Sequence, residues 1–246
     1  MICKLCHKEK KLVGKSHIIP DFMYHGIFDE KHRIIIAGLE KFQKLNFQQT
    51  GITESNILCH NCEHELLGEL EKYASKALYS NVLPPTQQIH IEKGIKSDGL
   101  NVLKVSNLNY YKFKSFLLSI LWRTNISKHH FFSEIALKPN IEEHIRETLL
   151  NKENIPEEDF RICMLLYPGS MDDASAKVIS QPKRKGSFHD QWFYVFFINT
   201  MFYIIEVKKV NRPSWFEVSN LKIDNTIEIP IIDHEMFGQI INHLYT

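Results

Sequence analysis

Two C-x-x-C pairs constrain this chain more than any other feature of its sequence. Cys3 and Cys6 form the first pair, and Cys59 and Cys62 form the second. A two-residue gap lets both thiolates face one point at the Zn–S distance of about 2.3 Å, and two such pairs complete a tetrahedral site. Paired motifs of this spacing favour metal over a disulfide in a reducing compartment. We therefore predict one structural Zn²⁺ bound by these four cysteines, with two unrelated redox or core pairs as the alternative.

The compartment expected from the sequence is the cytoplasm, where thiols stay reduced. The first residues, MICKLCHKEKK, lack the apolar segment of a secretory signal. No apolar run approaches the roughly 18 residues that would span a bilayer, so we expect no membrane association. The fifth cysteine, Cys163, lies in an apolar run and is predicted to be an ordinary buried core thiol.

The second cysteine pair opens an amphipathic stretch from residue 60 to residue 79 whose apolar residues follow helical spacing. One C-x-x-C turn, or knuckle, near the N-terminus and a second knuckle at the start of a helix predict a treble-clef zinc finger. The 52 residues between the pairs, 7–58, exceed the linker of a small finger, so we expect extra structure there, including a strand at residues 32–37. Removing the zinc is expected to unfold most of the segment up to Ser80.

Two further motifs accompany the cysteines. Ser16-His17-Ile18-Ile19-Pro20 lies between the pairs, and Asn56 comes three residues before the second pair. With the four cysteines, this pattern resembles the HNH (ββα-metal) endonuclease family in its zinc-bearing form. It is also similar to a group of bacterial proteins that combine C-x-x-C, SHIIP-x-F and LC-x-x-CE with a later helical segment like FLLSILWR.

The resemblance implies metal-dependent hydrolysis of DNA phosphodiester bonds, in bacterial defence beside a companion protein; RNA stays open as a substrate. His17 would be the general base that deprotonates the attacking water, and a neutral imidazole suits that role. Asn56 would position the metal loop or hydrogen-bond the base. A divalent ion, Mg²⁺ or Mn²⁺, would neutralise charge at the scissile phosphate, with Glu63 as an oxygen ligand.

The chain departs from the family pattern at two positions. Ser16 stands where the family has an acidic residue that often binds the catalytic metal, and Glu63 stands where the family has His or Asn. His7, Asp21 and His64 could each supply a replacement ligand, and the spacing does not select among them. The alternative hypothesis is a non-catalytic zinc module that binds nucleic acid or a protein partner, with His17 as a structural residue. Glu71 could add a second carboxylate beside Glu63, although such residues more often form a solvated helix face.

The charge balance argues against binding nucleic acid by bulk electrostatics. Thirty Lys and Arg residues face 29 Asp and Glu residues, for a net charge of +1. Basic residues nevertheless concentrate in two places, residues 8–15 and residues 183–185, so local patches could meet a phosphate backbone. The second run is flanked by Pro182 and Gly186 and is predicted to be an exposed loop.

The predicted fold class is α+β, with a zinc domain at residues 1–84 followed by a mixed helix and antiparallel-sheet module at residues 85–246. That module is expected to support the first domain or to make partner or oligomer contacts. The sequence predicts a buried helix from Tyr110 to Arg123, a helix capped by Asn140 and a final helix over 233–245. Arg123 is expected to interact with the C-terminal dipole of its helix rather than with a phosphate. A strand at 160–166 and a central hairpin at 191–207, covered by helices, complete the prediction.

Overall fold

A computed structural model describes residues 1–29, 31, 33–37, 46–48, 50–80, 83–169, 178–186, 192–207 and 219–245 of the chain. The fold is mixed α+β. The described helices are α1 (Gly68–Ser75), α2 (Tyr110–Ile126), α3 (Pro139–Asn151) and α4 (His234–Tyr245). Wider π-type turns, Asn61–Leu67 and Lys76–Ser80, extend α1 at both ends. None of the described helices is both long enough and apolar enough to cross a membrane.

The strands fall into three sheets. The first six are β1 (Ser16–His17), β2 (Ile34–Ala37), β3 (Asn46–Gln48), β4 (Thr53–Glu54), β5 (His90–Ile95) and β6 (Asn101–Ser106). The others are β7 (Ile162–Leu166), β8 (Ile179–Ser180), β9 (Lys183–Gly186), β10 (Trp192–Ile198), β11 (Met201–Glu206) and β12 (Ile227–Pro230). The largest sheet has the order β3-β2-β8-β10-β11-β7, with β9 also paired to β10. β1 pairs with β4, and β12, β6 and β5 form the third sheet.

The predicted hairpin is confirmed as the centre of the large sheet. β10 and β11 pair antiparallel from Phe193↔Glu206 to Ile198↔Met201 around a two-residue turn. Both turn residues, Asn199 and Thr200, have positive φ, as the tight primed turns of hairpins require. One face of the hairpin packs into the main core, and the other packs on Phe237 and Leu244 of α4. Helices therefore cover both faces, as an apolar run on both sides of a strand predicts.

The segment before residue 84 does not pack by itself. β2, confirmed inside the predicted strand at residues 32–37, pairs in parallel with β8 from the C-terminal part of the chain. One continuous apolar cluster contains Cys3, Leu58 and Leu67 together with most of α2 and residues of β10 and β11. The boundary at residue 84 stays a prediction, since the core runs across it.

Three local predictions are wrong. Lys138, not Asn140, precedes the first turn of α3, because Pro139 starts the helix one residue earlier with its fixed φ. The basic run forms strand β9 beside β10 rather than a loop over residues 183–186; Ser187 lies outside the described residues. Arg123 is fully buried and bound to side chains and carbonyls rather than serving the helix dipole alone.

The other helix and strand predictions are confirmed with small shifts of their ends. β7 covers most of the predicted strand at 160–166, and α4 covers the predicted final helix. α2 extends three residues beyond Arg123, and Asn109 caps its start by accepting a hydrogen bond from the Lys112 N–H. Cys163 is fully buried in β7, as expected of a core thiol.

Candidate functional site

The four predicted metal ligands come together in one cluster. The thiol sulfurs of Cys3, Cys6, Cys59 and Cys62 all lie within 4.8 Å of one another, and the Cys6 and Cys59 sulfurs are 4.0 Å apart. A tetrahedral zinc with Zn–S bonds of about 2.3 Å requires sulfurs about 3.8 Å apart. The cluster therefore fits a zinc ion with little movement. Among the described residues it is the sole group of three or more His, Cys, Asp or Glu side chains placed to share a metal.

Backbone hydrogen bonds hold the first knuckle in shape. The His7 N–H donates to the Cys3 carbonyl at 2.9 Å, and His7 takes a left-handed conformation with φ 54°. The Cys3 N–H in turn donates to the Lys8 carbonyl at 3.0 Å. These bonds close the tight turn that aims both thiols of the first pair at one point.

The second knuckle docks onto the first. The Cys59 N–H donates to the Cys3 sulfur at 3.3 Å, and the Lys4 N–H donates to the Ile57 carbonyl at 2.9 Å. Arg146 of α3, in the C-terminal part of the chain, also binds the first knuckle, since its Nη1 donates to the Leu5 carbonyl at 2.7 Å. Its guanidinium is paired with Glu143 and places a buried cation near Cys6.

The electrostatics of the cluster favour a bound cation. Burial opposes ionisation of the Cys3 thiol, but backbone N–H groups, including those of Cys6 and Cys59, outweigh it and lower the pKa to about 7. Burial raises the pKa of the Cys62 thiol, and the neighbouring Cys59 thiol raises it further. Four thiolates cannot share so small a space without a positive charge between them. Zinc supplies that charge and would hold all four ionised.

His17 lies outside this cluster, on β1. Its side chain is 37% exposed, and its Nε2 is 3.7 Å from Oδ1 of Asp21, which is 64% exposed. Ser16, the neighbouring residue of β1, is fully buried, so the side chains of Ser16 and His17 point to opposite faces, while Lys15 just before the strand is exposed. Of the three candidate replacement ligands His7, Asp21 and His64, Asp21 is the one whose carboxylate approaches the His17 ring.

The SHIIP motif packs against the core and α2 through its other residues. Ile18 and Ile19 are fully buried in the main core, and Phe22 packs on Phe116 of α2 with ring centroids 5.6 Å apart. The His17 carbonyl accepts a hydrogen bond at 2.9 Å from Arg123, in the FLLSILWR segment of the same helix. The two sequence motifs therefore belong to one packing unit.

Glu63 does not face His17's exposed side. Its carboxylate is largely buried, and burial raises its pKa, an effect that the nearby Arg123 charge partly offsets. Its Oε2 and the Ser16 Oγ are both buried and form no hydrogen bond of standard geometry among the described residues, although the nearby Ser16 hydroxyl helps to lower the pKa of Glu63. Glu71, the proposed second carboxylate, is bound to Arg123 at 2.6 Å. The Arg123 guanidinium supplies positive charge in this corner of the fold, and a catalytic Mg²⁺ or Mn²⁺ at Glu63 stays a prediction.

Asn56, the third predicted catalytic residue, occupies a turn. It is exposed, has φ 59°, and its N–H donates to the Val13 carbonyl at 3.1 Å. Asparagine tolerates the left-handed region better than most residues, which accounts for its presence before the second knuckle.

Sequence reasoning missed the role of Arg123 and Arg146. Arg123 lies in a helix whose neighbouring residues are mostly apolar, and a charge at such a place needs a partner when it is buried, whereas Arg146 lies among charged and polar neighbours. That signal was present for Arg123, which ends the run Phe116–Trp122. No protein-family model, curated protein or solved structure matches this chain.

Proposed function

We propose that the chain is a treble-clef zinc protein whose N-terminal hairpin, residues 1–15, binds DNA. The observation that carries this proposal is a row of exposed lysines on the zinc-bearing segment, Lys8, Lys10, Lys11 and Lys15. None of them forms an ion pair with an acidic side chain in the described part of the chain. Lysines without acidic partners are available to displace counterions from a phosphate backbone.

The zinc site would give this surface its rigidity. Bridges between Ile2 and Glu9 and between Leu12 and Cys59 fix the hairpin to both knuckles. Lysines on a fixed hairpin lose less conformational freedom on binding than lysines on a free tail. A chain with net charge +1 would bind weakly overall, so the local patch would determine where DNA docks.

The experiment is a salt titration of duplex DNA binding followed by fluorescence anisotropy. Replacing Lys8, Lys10 and Lys11 with Gln should lower the slope of log affinity against log salt by up to about 2.7, at about 0.9 per phosphate contact. A single-stranded RNA of equal length tests the other nucleic acid, and tighter RNA binding would replace DNA as the ligand.

The control removes the same charge elsewhere. Lys93, Lys138 and Lys152 are also exposed and lie outside the hairpin, so their triple Gln variant should keep the wild-type slope. Equal loss in both triple variants would mean that net charge, not the hairpin, drives binding. No measurable binding by the zinc-loaded wild type at low salt would overturn the proposal.

Hydrolysis of the bound strand is a second candidate, favoured by the exposed His17–Asp21 pair. An imidazole with an adjacent carboxylate can take a proton from a water that attacks phosphorus, while Asp21 orients the ring. Lys15 is exposed two residues before His17 and would contact the phosphate. This is the HNH-type activity that the sequence motifs imply, with Asp21 as the residue that orients the base.

A plasmid cleavage assay with and without Mg²⁺ or Mn²⁺ separates the two candidates. His17→Ala should abolish cleavage while DNA affinity stays within about twofold. His25→Ala is the matched control, since His25 is exposed on the same segment and its side chain has no ion pair with the described residues. Cleavage that survives His17→Ala would exclude His17 as the base, and wild-type binding without cleavage would leave the binding function alone.

A further inference from the structure

A cavity of about 190 Å³ lies between α1, Thr86 and Gln87, and the start of α2. Tyr73 of α1 forms one wall, and Asn109 and Lys112 at the start of α2 form another. Asn107 closes a third side by donating to the Thr86 and Gln88 carbonyls at 3.4 and 2.9 Å. The volume is below that of a drug-sized site and suits a small group or the end of a larger ligand.

Three polar groups around this cavity, those of Tyr73, Asn109 and Asn225, use their acceptor ends on the protein, whereas Asn107 uses its donor end. Asn109 Oδ1 accepts from the Lys112 N–H, and Asn225 Oδ1 accepts from the Tyr110 N–H, both at 2.9 Å. The Tyr73 phenol oxygen accepts from the Asn109 N–H at 2.6 Å. Because a backbone N–H can donate only, these bonds fix which end of each amide is the oxygen.

The donor groups of these three side chains have no partner in the described part of the protein. The Nδ2 groups of Asn109 and Asn225 and the O–H of Tyr73 have no acceptor among the described residues. The Lys112 ammonium lies 5.6 Å from the centre of the Tyr73 ring and forms no ion pair with a described residue. No acidic side chain in the described part of the chain lines the cavity.

We propose that this cavity binds a phosphate group, as inorganic phosphate, a small phosphomonoester or the 5′-phosphate end of a strand. A phosphate offers three or more strong acceptor oxygens and a negative charge, which matches three donor groups and one lysine. A carboxylate would satisfy fewer of these donors, and the Lys112 ammonium would repel a cation. The site is independent of the lysine-rich hairpin, because none of its residues belongs to residues 1–15.

The test is a titration of the zinc-loaded protein with inorganic phosphate, followed by the amide signals of residues 107–112 in a ¹⁵N NMR spectrum. We expect saturable shifts in the wild type and at least tenfold weaker binding in Lys112→Met. Asn109→Asp is the sharper variant, since aspartate caps a helix as well as asparagine but replaces the donor with a charged oxygen. It should keep the thermal stability of the wild type and lose phosphate binding.

Lys93→Met removes an exposed lysine on β5 and should bind phosphate as the wild type does. Equal affinity of Asn109→Asp and wild type, or no saturable shift in the folded wild type, would overturn the proposal. An oligonucleotide with a 5′-phosphate compared with its 5′-hydroxyl form distinguishes the source. Preference for the phosphorylated strand over inorganic phosphate identifies a strand end, and the reverse identifies a small phosphate.

Discussion

Replacing Arg123 with Met should destabilise the protein more than any other single loss of charge discussed above. The Arg123 side chain is 1% exposed, and its Nη1 donates to the His17 carbonyl at 2.9 Å and to Glu71 at 2.6 Å. Two longer bonds, both 3.3 Å, reach the carbonyl and the hydroxyl of Ser119. Met keeps most of the apolar stem but leaves these acceptors without a donor.

The expected loss of stability follows from leaving the Glu71 carboxylate without its buried cation. Removing one partner of a buried ion pair costs about 3–5 kcal/mol. We expect about 3 kcal/mol, the lower end, because Glu71 is 27% exposed and can be rehydrated. For a chain of 150–250 residues each kcal/mol lowers Tm by roughly 2–4 °C, so the variant should melt about 6–12 °C below the wild type. Thermal unfolding followed by circular dichroism, with zinc present, measures this.

Two further variants test the reasoning. Arg33 makes a similar two-point contact with Asp29, but the side chains are 35% and 38% exposed, so Arg33→Met should lower Tm clearly less than Arg123→Met does. Glu71→Gln in the Arg123→Met background should recover part of the loss, since it removes the stranded charge. An Arg123→Met loss no larger than that of Arg33→Met, or no recovery in the double variant, would refute the account of this buried pair.

Two more predictions concern the same part of the fold. A Cβ at Gly51 would lie 2.7 Å from Cζ of the buried Tyr24 ring, so Gly51→Ala should lower stability by about 1–3 kcal/mol in urea unfolding. Gly68→Ala is the control, because its Cβ meets only the Glu63 carbonyl at 3.4 Å, and it should be neutral or stabilising. Equal effects of the two variants would contradict the close approach at Gly51. Burial raises the pKa of Glu63, so its ionisation disfavours the folded state above its ordinary pKa. Glu63→Gln should therefore match the wild type at pH 4 and gain stability relative to it as pH rises to 7, and a relative loss over that range would show that the ionised carboxylate is needed.

The sequence predicted those elements that depend on local pattern. The cysteine spacing located the metal site, and the two continuous apolar runs on either side of Asn199 and Thr200 located the central hairpin. The apolar run from Tyr110 located α2, because a helix buried on all sides needs no polar face.

Long-range pairing could not be predicted in the same way. Nothing in the local pattern of β2 shows that it pairs with β8, more than 140 residues later. The charged run at Lys183 looked like a loop because a strand's pairing partner, here β10, is invisible in its own composition. The partner of Arg123 was hidden for the same reason: Glu71 and the His17 carbonyl lie 52 and 106 residues away in the chain.

The candidate site shows the same division. The motif residues His17, Asn56 and Glu63 were identified together, but their orientations depend on what packs behind them. Ser16 and Glu63 point into the core beside Arg123, while His17 points out beside Asp21. Alternation along a strand of two residues cannot be assigned to a face until the core that covers one face is known.

The central claim is that four cysteines from two distant segments bind one zinc ion that holds this end of the fold together. Metal analysis with zinc-edge X-ray absorption tests it most directly. We predict about one zinc per chain, with four sulfur ligands at about 2.3 Å, and loss of both the zinc and the folded N-terminal segment in Cys59→Ser. A well-folded protein without zinc, or a zinc ion bound by nitrogen or oxygen ligands, would contradict the claim.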